Sequence, residues 1–557
     1  MPKIVITEQD LTKTGGKSED FDVVYIPGLV DTTQSSLIDG KGEYVGIEVN
    51  KPTLFTTVAE FVSLCGDRPA KFNTDQYYTD LKSIGTGFED AAVPYHRTMF
   101  REGSCDPSYI MAKELLNAGL CVLYERINGE ASYEKLTVKP EDWEKAYSTY
   151  FTDVSSKERI ESVSAPEFES GKYYKEMKSV GEPGNATVQY EALTVAPADW
   201  ETRFFNYFEE TTKKESVSGS EAPEFSSGTF YREDDGINIK SIYTSLESVF
   251  SIDGHEGLHD LGNYSVKYLT SGGYPTYEYN GNSIVTKMIA LAEKRGDCVA
   301  FIDHTDNPYR ENNIDLEGSV YYSVKNDTSL TGNTEFATMF TPYATYNRTT
   351  VDHDTTSDAA STVSLRGSGT FAYLTALADS IKTNAPWLAV AGATRGVVLN
   401  LSQDGMTTVI PNGAADAMQP RMGVAVNAIT DIKPYGNVIW GNRTLKNNSE
   451  NLTATSFLNI RNLVSDIKKI CYRTARKLTY EQNNDILWIN FKAEIAPTLD
   501  RMLSGYGISG YKFVRDTEHE KANEKATLCA KIIIYPVYPV EDFYITIVLE
   551  DEEITVE

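Results

Sequence analysis

Residues 108–126 read SYIMAKELLNAG-LCVLYER, and residues 283–303 read SIVTKMIALAEKRGD-CVAFID. In each, a helical stretch runs directly into a short apolar strand. Gly119 supplies the stop for the first helix, and the Val, Leu, Ile and aromatic content of the following runs is strand-like. A helix feeding a fully apolar strand, twice, predicts an α/β layer whose strands are covered by helices. Outward from these units, 22–30 (DVVYIPGLV) and 44–50 read as strands, and 55–65 (FTTVAEFVSLC) as a short helix. The polar stretch 346–366 reads as an exposed loop.

The last third carries a second pattern. Phe457, Ile460, Leu463, Val464, Ile467 and Ile470 recur at helical spacing, so 456–477 is expected to be one amphipathic helix. A second helix is expected over 485–504, closed by Gly505. The chain then runs through 530-AKIIIYPVYPV-540 and 543-FYITIVLEDEEITVE-557, two strand-like runs punctuated by Pro536 and Pro539. Terminal strands this apolar require a pairing partner, because an open edge aggregates.

Between the two halves lies an internal repeat. Residues 133–176 and 190–233 align without a gap at an offset of 57: Tyr133, Trp143, Phe151, Phe168 and Tyr174 answer to Tyr190, Trp200, Phe208, Phe225 and Tyr231. Pro140 and Pro197 each sit where a helix would start. The simplest reading is a small two-copy module in which each unit uses its aromatics for its own core. Stacking on sugars and plain surface decoration both stay open. The expected fold class is α/β (mixed α+β) and multidomain, divided as 1–125, the inserted module 126–235, a middle α/β domain 236–395, and a C-terminal domain 396–557 with a terminal strand arm.

A chain of 557 residues is long enough for three or four domains. With 52 Lys and Arg against 80 Asp and Glu, its net charge is −28. A surface that acidic repels phosphates and anionic lipids, so neither nucleic acid nor membrane is an expected partner. There is no apolar run long enough to span a bilayer. The opening MPKIVITEQD lacks the basic and apolar regions of an export signal, so none is expected. The six cysteines form no C-x-x-C pair, which suits a reduced, cytoplasmic protein without a cysteine metal site. Thirty-five tyrosines against five tryptophans suit large assembly surfaces, or are simply house composition.

Two motifs resemble catalytic ones. His255-Glu256-Gly257-Leu258-His259 spells H-E-x-x-H, in which two imidazoles one helical turn apart would hold zinc and the glutamate would activate water. Gly254, Gly257 and Gly262 oppose the helix this needs, so a loop histidine pair is the plainer reading. A zinc hydrolase on His255, Glu256 and His259 is kept as the alternative. Gly505-Tyr506-Gly507-Ile508-Ser509-Gly510 spells G-x-G-x-x-G, but a helix precedes it and a strand follows. That order is the reverse of a dinucleotide site and marks a turn. No catalytic constellation, cofactor or metal is therefore expected, and the protein is read as a non-enzyme. Arg461, Lys468, Lys469, Arg473, Arg476 and Lys477 crowd one helix of this acidic chain. They are either a solvated helix face or a docking surface for an acidic protein.

Several short elements, in order, resemble contractile phage tail sheath proteins. NKPTLFTTVAEFVSLCG (50–66) is similar to that family's "P-x-x-I-x-S-x-x-EF" element, and APWLAVAGATRGVV (385–398) to its "AP-x-G" stretch. GNVIWGNRTL (436–445) resembles "WG-x-RT-L", LNIRNLVSDIKK (458–469) the "N-x-R-R" helix, and NNDILW (483–488) "N-D-x-x-LW". The G-x-x-G-Y-K-F near 507–513 follows in order, and PVYPVEDFYITI (536–547) resembles the closing "P-x-x-P-x-E-F-I" strand. The resemblance covers about 1–125 and 236–557 and leaves the repeat module out. It implies a sheath core built from the N- and C-terminal parts, with outer domains inserted. It also implies a structural subunit without an active site, which polymerises around a tail tube and contracts to drive the tube through the host envelope for genome ejection. The implied partners are further copies of the chain, the tail tube protein, and baseplate and tail terminator proteins. The implied place is the virion, after assembly in the host cytoplasm. Terminal arms would add strands to neighbouring subunits: Ile4 and Ile6 at the start, and Ile532, Ile534, Tyr535, Tyr544, Ile545, Ile547 and Val548 at the end. The tube contact would fall on Lys468, Lys469, Arg473, Arg476 and Lys477. A different phage structural protein, of the tube or decoration type, is the other alternative.

Overall fold

The computed structural model describes residues 22–70 (without 33, 42 and 43), 106–127, 239–251, 258, 264–304 (without 278), 319–330, 334–342, 369–381, 387–398, 410–517 and 527–541. It also gives the backbone of nine strands within 131–237 and 344–406. In chain order the strands are β1 (Val23–Gly28), β2 (Thr53–Phe55), β3 (Cys121–Arg126), β4 (Ala131–Thr137), β5 (Ser156–Ser162), β6 (Lys172–Val180), β7 (Thr187–Thr194), β8 (Lys213–Gly219) and β9 (Thr229–Ile237). After the module come β10 (Tyr268–Thr270), β11 (Val299–Ile302), β12 (Ala337–Thr341), β13 (Ala344–Asn347), β14 (Ser364–Gly367) and β15 (Leu401–Met406). The last are β16 (Asn427–Ile432), β17 (Gly436–Trp440), β18 (Ile508–Arg515) and β19 (Ala530–Pro536). The longer helices are α1 (Val58–Cys65), α2 (Pro107–Ala118), α3 (Ile239–Val249), α4 (Ser283–Arg295), α5 (Gly369–Ile381), α6 (Leu458–Leu478) and α7 (Asp485–Ser504).

The centre is an eight-stranded sheet in the order β17-β16-β12-β11-β10-β1-β3-β2. Its six inner strands are parallel, and β17 and β2 close the edges antiparallel. The helix-to-strand units behave as their sequences require. Asp106 caps α2 by accepting from Ser108 N, Pro107 occupies the first turn, and Gly119 ends the helix at φ 96°. Gly296 does the same for α4 at φ 67°. Alternate residues of β1 then face opposite layers: Val23 and Tyr25 pack with α3 and α4, while Val24 and Ile26 pack with α1, α2 and α5. The mixed α/β class follows directly.

Three expectations change. The sheet takes strands from 1–125, from 236–395 and from 396–557, so the proposed boundary at 395/396 does not separate two sheets: β16 and β17 extend the one that β10–β12 begin. Residues 44–50 form only isolated bridges, at Tyr44 and Val49, not a strand. The helix expected over 55–65 starts at Val58, where the Thr57 side chain caps it by accepting from Glu60 N, and β2 occupies Thr53–Phe55.

The repeat module departs most from its sequence reading. The strands of the two copies correspond in order, β4-β5-β6 and β7-β8-β9. Yet the sheets are β8-β4-β9 and β5-β7-β6. Each copy's first strand is the centre of a sheet whose flanks come from the other copy. The units are therefore not self-contained. Because β4 pairs with β9, with Ala131 opposite Ile237, the module's entry and exit lie side by side. That allows it to interrupt the chain between β3 and α3 without separating them.

Candidate assembly interface

The C-terminal helices and ribbon are built on α6. Of the predicted apolar stripe, Ile460, Leu463, Ile467 and Ile470 are buried and Val464 is half-buried, and Leu458 joins them in the core. The helix α7 starts at Asn484, whose side chain accepts from Leu487 N at 3.0 Å. It packs Phe491, Ile495, Leu499 and Met502 against α6 around Trp387. The turn at 505–510 joins α7 to β18, as its element order indicates. Trp387 Nε1 donates to Gly505 O at 2.8 Å, and a Cβ at either Gly505 or Gly507 would collide with the indole.

The strands β18 and β19 pair antiparallel from Ile508 opposite Pro536 to Arg515 opposite Ala530, and among the described residues this sheet has only those two strands. One face is intramolecular. Ile532 and Ile534 lie opposite Phe513 and Tyr511, and all four pack on the α6–α7 cluster. The other face looks out: Ile533 and Tyr535 are exposed, and beyond the strand's end so are Val537 and Val540. The arm expectation is thereby corrected for Ile532 and Ile534, whose side chains seal the subunit's own core. Tyr535 faces outward. Ile4, Ile6, Tyr544, Ile545, Ile547 and Val548 lie outside the described residues.

The expected tube contact is divided by the same helix. Lys469 is 4% exposed and sits inside the protein, so it has no surface to offer a partner. Burial depresses its ammonium to about 8 despite the nearby Asp297 and Asp466. Arg461 is also buried, stacked 3.9 Å over the Phe336 ring and donating to Gly296 O at 3.1 Å. Lys468 is exposed, with its ammonium 5.7 Å over Phe336. Arg473, Arg476 and Lys477 are exposed in the last two turns, where Lys477 pairs with Glu494 of α7 at 2.6 Å. Tyr472, Tyr480, Ile486 and Ile489 are exposed on the same helical hairpin. The split follows the helix face and its end: Arg461 and Lys469 lie on sides of α6 that are packed, Lys468 lies on an open side, and Arg473, Arg476 and Lys477 in the last two turns are solvated.

Sequence reasoning missed two long-range ionic joints. Asp22 precedes β1 and accepts from Lys267 Nζ at 2.8 Å, and the same ammonium reaches Asp466 of α6 at 2.9 Å. Burial alone would lower the Lys267 pKa, but the two carboxylates raise it. In the second, Glu541 grips Arg443, in the loop after β17, through both carboxylate oxygens. The signal was available: Arg443 lies in the WGNRTL stretch and Glu541 in PVYPVEDF. One sequence alone does not say that they meet.

Of the H-E-x-x-H stretch, only Leu258 is described. It is fully buried, and its carbonyl accepts from Arg295. His255, Glu256 and His259 lie outside the described residues. Among the described residues no group of metal-ligand side chains is clustered, and no helix is long and apolar enough to cross a membrane.

No family model matches the chain. No curated protein matches it. Among solved structures, the chain is similar to one in the baseplate of the anti-feeding prophage, with 14% identity and a TM-score of 0.39 over 54% of this chain and 74% of that one. It is similar to one in the contracted sheath complex of the extracellular contractile injection system PVC, with 16% identity and a TM-score of 0.36 over 51% and 71%. It is also similar to one in the contracted helical sheath of the anti-feeding prophage, with 14% identity and a TM-score of 0.39 over 54% and 75%.

Proposed function

We propose that the chain is the sheath subunit of a contractile phage tail: it polymerises with copies of itself around a tail tube and shortens to drive the tube through a host envelope. The observation that carries this reading is the β18–β19 ribbon. It is closed on one face by the subunit's own core, apolar and exposed on the other, and open along its outer strand edges among the described residues. Such an edge is a template for strand addition, in which main-chain hydrogen bonds supply affinity and alternate side chains set register. The added strands would come from the chain's two ends, around Ile4 and Ile6 and around Tyr544, Ile545, Ile547 and Val548. The order of the short sheath-like sequence elements supports the same reading.

Contraction in this scheme exchanges smaller contacts between subunits for larger ones while the added strands stay linked. No active site is used. Arg473, Arg476 and Lys477 face the tube, and further partners are the baseplate and the tail terminator. Assembly takes place in the host cytoplasm, and the product is part of the virion.

The test is negative-stain electron microscopy of the purified chain at rising concentration, alone and co-expressed with a tail tube protein. Hollow striated tubes are expected. Monodisperse particles under both conditions would sink the proposal.

A further inference from the structure

The parallel strands β1, β3, β10, β11 and β12 are met in that order along the chain, but they stand in the sheet as β3-β1-β10-β11-β12. The chain therefore builds from β1 to one side, and returns to the other side of β1 for β10. The carboxyl ends of β1 and β10 flank that reversal, the place where open sheets of parallel strands hold their ligands. The helix α2 starts at this end of the sheet, with its Asp106 cap bonded to the residue that follows β1, and a helix N-terminus in such a crevice favours an anion.

The anion found there belongs to the chain itself. Asp106 is fully buried, and four donors from three separate places hold its carboxylate. Leu29 N, just past β1, donates to Oδ2 at 2.9 Å. Ser108 N, in the first turn of α2, donates to Oδ1 at 2.9 Å, and the Ser108 hydroxyl lies 2.7 Å from both oxygens. Tyr274, in the loop after β10, donates its hydroxyl to Oδ1 at 2.7 Å. None of these donors is a cation. Burial pushes the carboxyl up in pKa, and the same four donors act against that push. Tyr124 closes the lining: its hydroxyl donates to Leu29 O at 2.8 Å and stands 3.4 Å from Oδ2. The crevice is otherwise full. A Cβ at Gly28 would collide with Ser108 and the Tyr124 hydroxyl, and one at Gly272, where φ is 75°, would collide with Pro27 O and Ser108.

We propose that Asp106 is a built-in ligand: its carboxylate occupies the anion position of the crevice between β1 and β10, and when that side chain is removed the crevice binds a small free carboxylate, formate or acetate, in its place. The donors address two oxygens of one planar group, and the glycine-lined walls leave no space for a tetrahedral phosphate. In the native chain the crevice is therefore shut to phosphates and nucleotides, and it serves to tie β1, α2 and the loop after β10 together.

The experiment uses the full chain with Asp106→Gly or Asp106→Ala, which free the space of an acetate and of a formate respectively. Urea unfolding is followed at neutral pH in sodium formate, acetate, phosphate and chloride of equal ionic strength. The native chain in the same salts sets the general salt effect, and each change is taken relative to it. Both variants should unfold at lower urea than the native chain in chloride. Formate should restore Asp106→Ala saturably, lowering its unfolding constant about tenfold once formate stands about ten times above its dissociation constant. Acetate should restore Asp106→Gly but not Asp106→Ala, where its methyl group meets the alanine Cβ. Phosphate should restore neither, and Asp106→Asn, whose side chain fills the space, should not respond to formate. A variant that does not fold in chloride should fold in its matching carboxylate. Equal changes in variant and native chain, restoration by phosphate or chloride, an equal formate response in Asp106→Asn, or no folding in any of the salts would each overturn the proposal.

Discussion

Lys267, just before β10, bonds to Asp466 of α6 at 2.9 Å across 199 positions of sequence, and both side chains are buried. The same ammonium holds Asp22 at 2.8 Å, so one cation joins the root of the N-terminal segment, the central sheet and the C-terminal helix. Lys267→Met would leave two carboxylates facing each other without a counter-charge. Removing one member of a buried pair typically costs about 3–5 kcal/mol. The midpoint of urea unfolding should fall accordingly. A midpoint within error of the native one would show that the joint is not structural.

The neighbouring charges give the protein a distinctive pH response. Burial raises Asp466 to about 6 and lowers Lys469 to about 8. Between the usual carboxylate value and 6 the folded state holds more protons at Asp466, so its contribution to stability falls as pH rises through that window. Between 8 and the usual lysine value the unfolded state holds more protons at Lys469, so its contribution rises with pH. Together they place a shallow minimum between about pH 6 and 8. Lys469 Nζ has no hydrogen-bond partner among the described residues. Lys469→Met should therefore stabilise the fold at pH 7 by about 2 kcal/mol and abolish the rise above pH 8. Urea titrations at a series of pH values would show a monotonic curve instead if the buried charges were better compensated than their geometry indicates.

Gly507 is required by an indole. A Cβ there would stand 2.6 Å from Trp387 Cδ1, and one at Gly505 would stand 2.2 Å from Cζ2. Gly507→Ala should cost about 1–3 kcal/mol by overpacking. The double variant with Trp387→Phe should recover part of that loss, which thermal unfolding can measure.

These cases show what the sequence disclosed and what it withheld. Local rules were enough for α2 with β3 and α4 with β11, because Gly119, Gly296 and the apolar strand runs act within a few residues. The turn at Gly505–Gly510 was legible from element order alone. Long-range pairings were not. The exchange of β4 and β7 between the repeat copies leaves no trace in either copy, since near-identical strands can pair within a copy or between copies. Lys469 and Arg461 were read as surface because charge suggests solvent, yet the apolar stripe of α6 does not reveal that its flanks are also covered. Arg443 and Glu541 stood in two of the recognised elements, and their pairing is a fact of the tertiary fold.

The exposed cations of α6 carry a separate expectation. Arg473→Glu, Arg476→Glu and Lys477→Glu together should leave melting unchanged within about 1 kcal/mol, since exposed ion pairs contribute little. If these residues face the tube, the triple variant should co-purify with far less tail tube protein at low salt. Equal recovery at all ionic strengths would remove the tube contact from this helix end.

The ribbon provides the sharpest contrast, because neighbouring residues of one strand have opposite expectations. Ile534 points into the cluster around Trp387, Phe491 and Leu499, whereas Ile533 is 41% and Tyr535 is 53% exposed. Successive side chains of a strand face opposite sides, so the two sets can be tested without moving the backbone. Ile534→Lys should bury an unpaired charge and unfold or loosen α6, α7 and the ribbon. Ile533→Lys with Tyr535→Lys should leave melting nearly unchanged while placing charge on the outward face, a device by which natural strands resist pairing with another chain. If that face and its edge receive a neighbour, the double variant will be a stable monomer that does not form tubes. Tubes of native appearance from it would show that assembly uses another surface. Loss of folding in it would show that the ribbon's exposed face is more tightly packed than its solvent accessibility indicates.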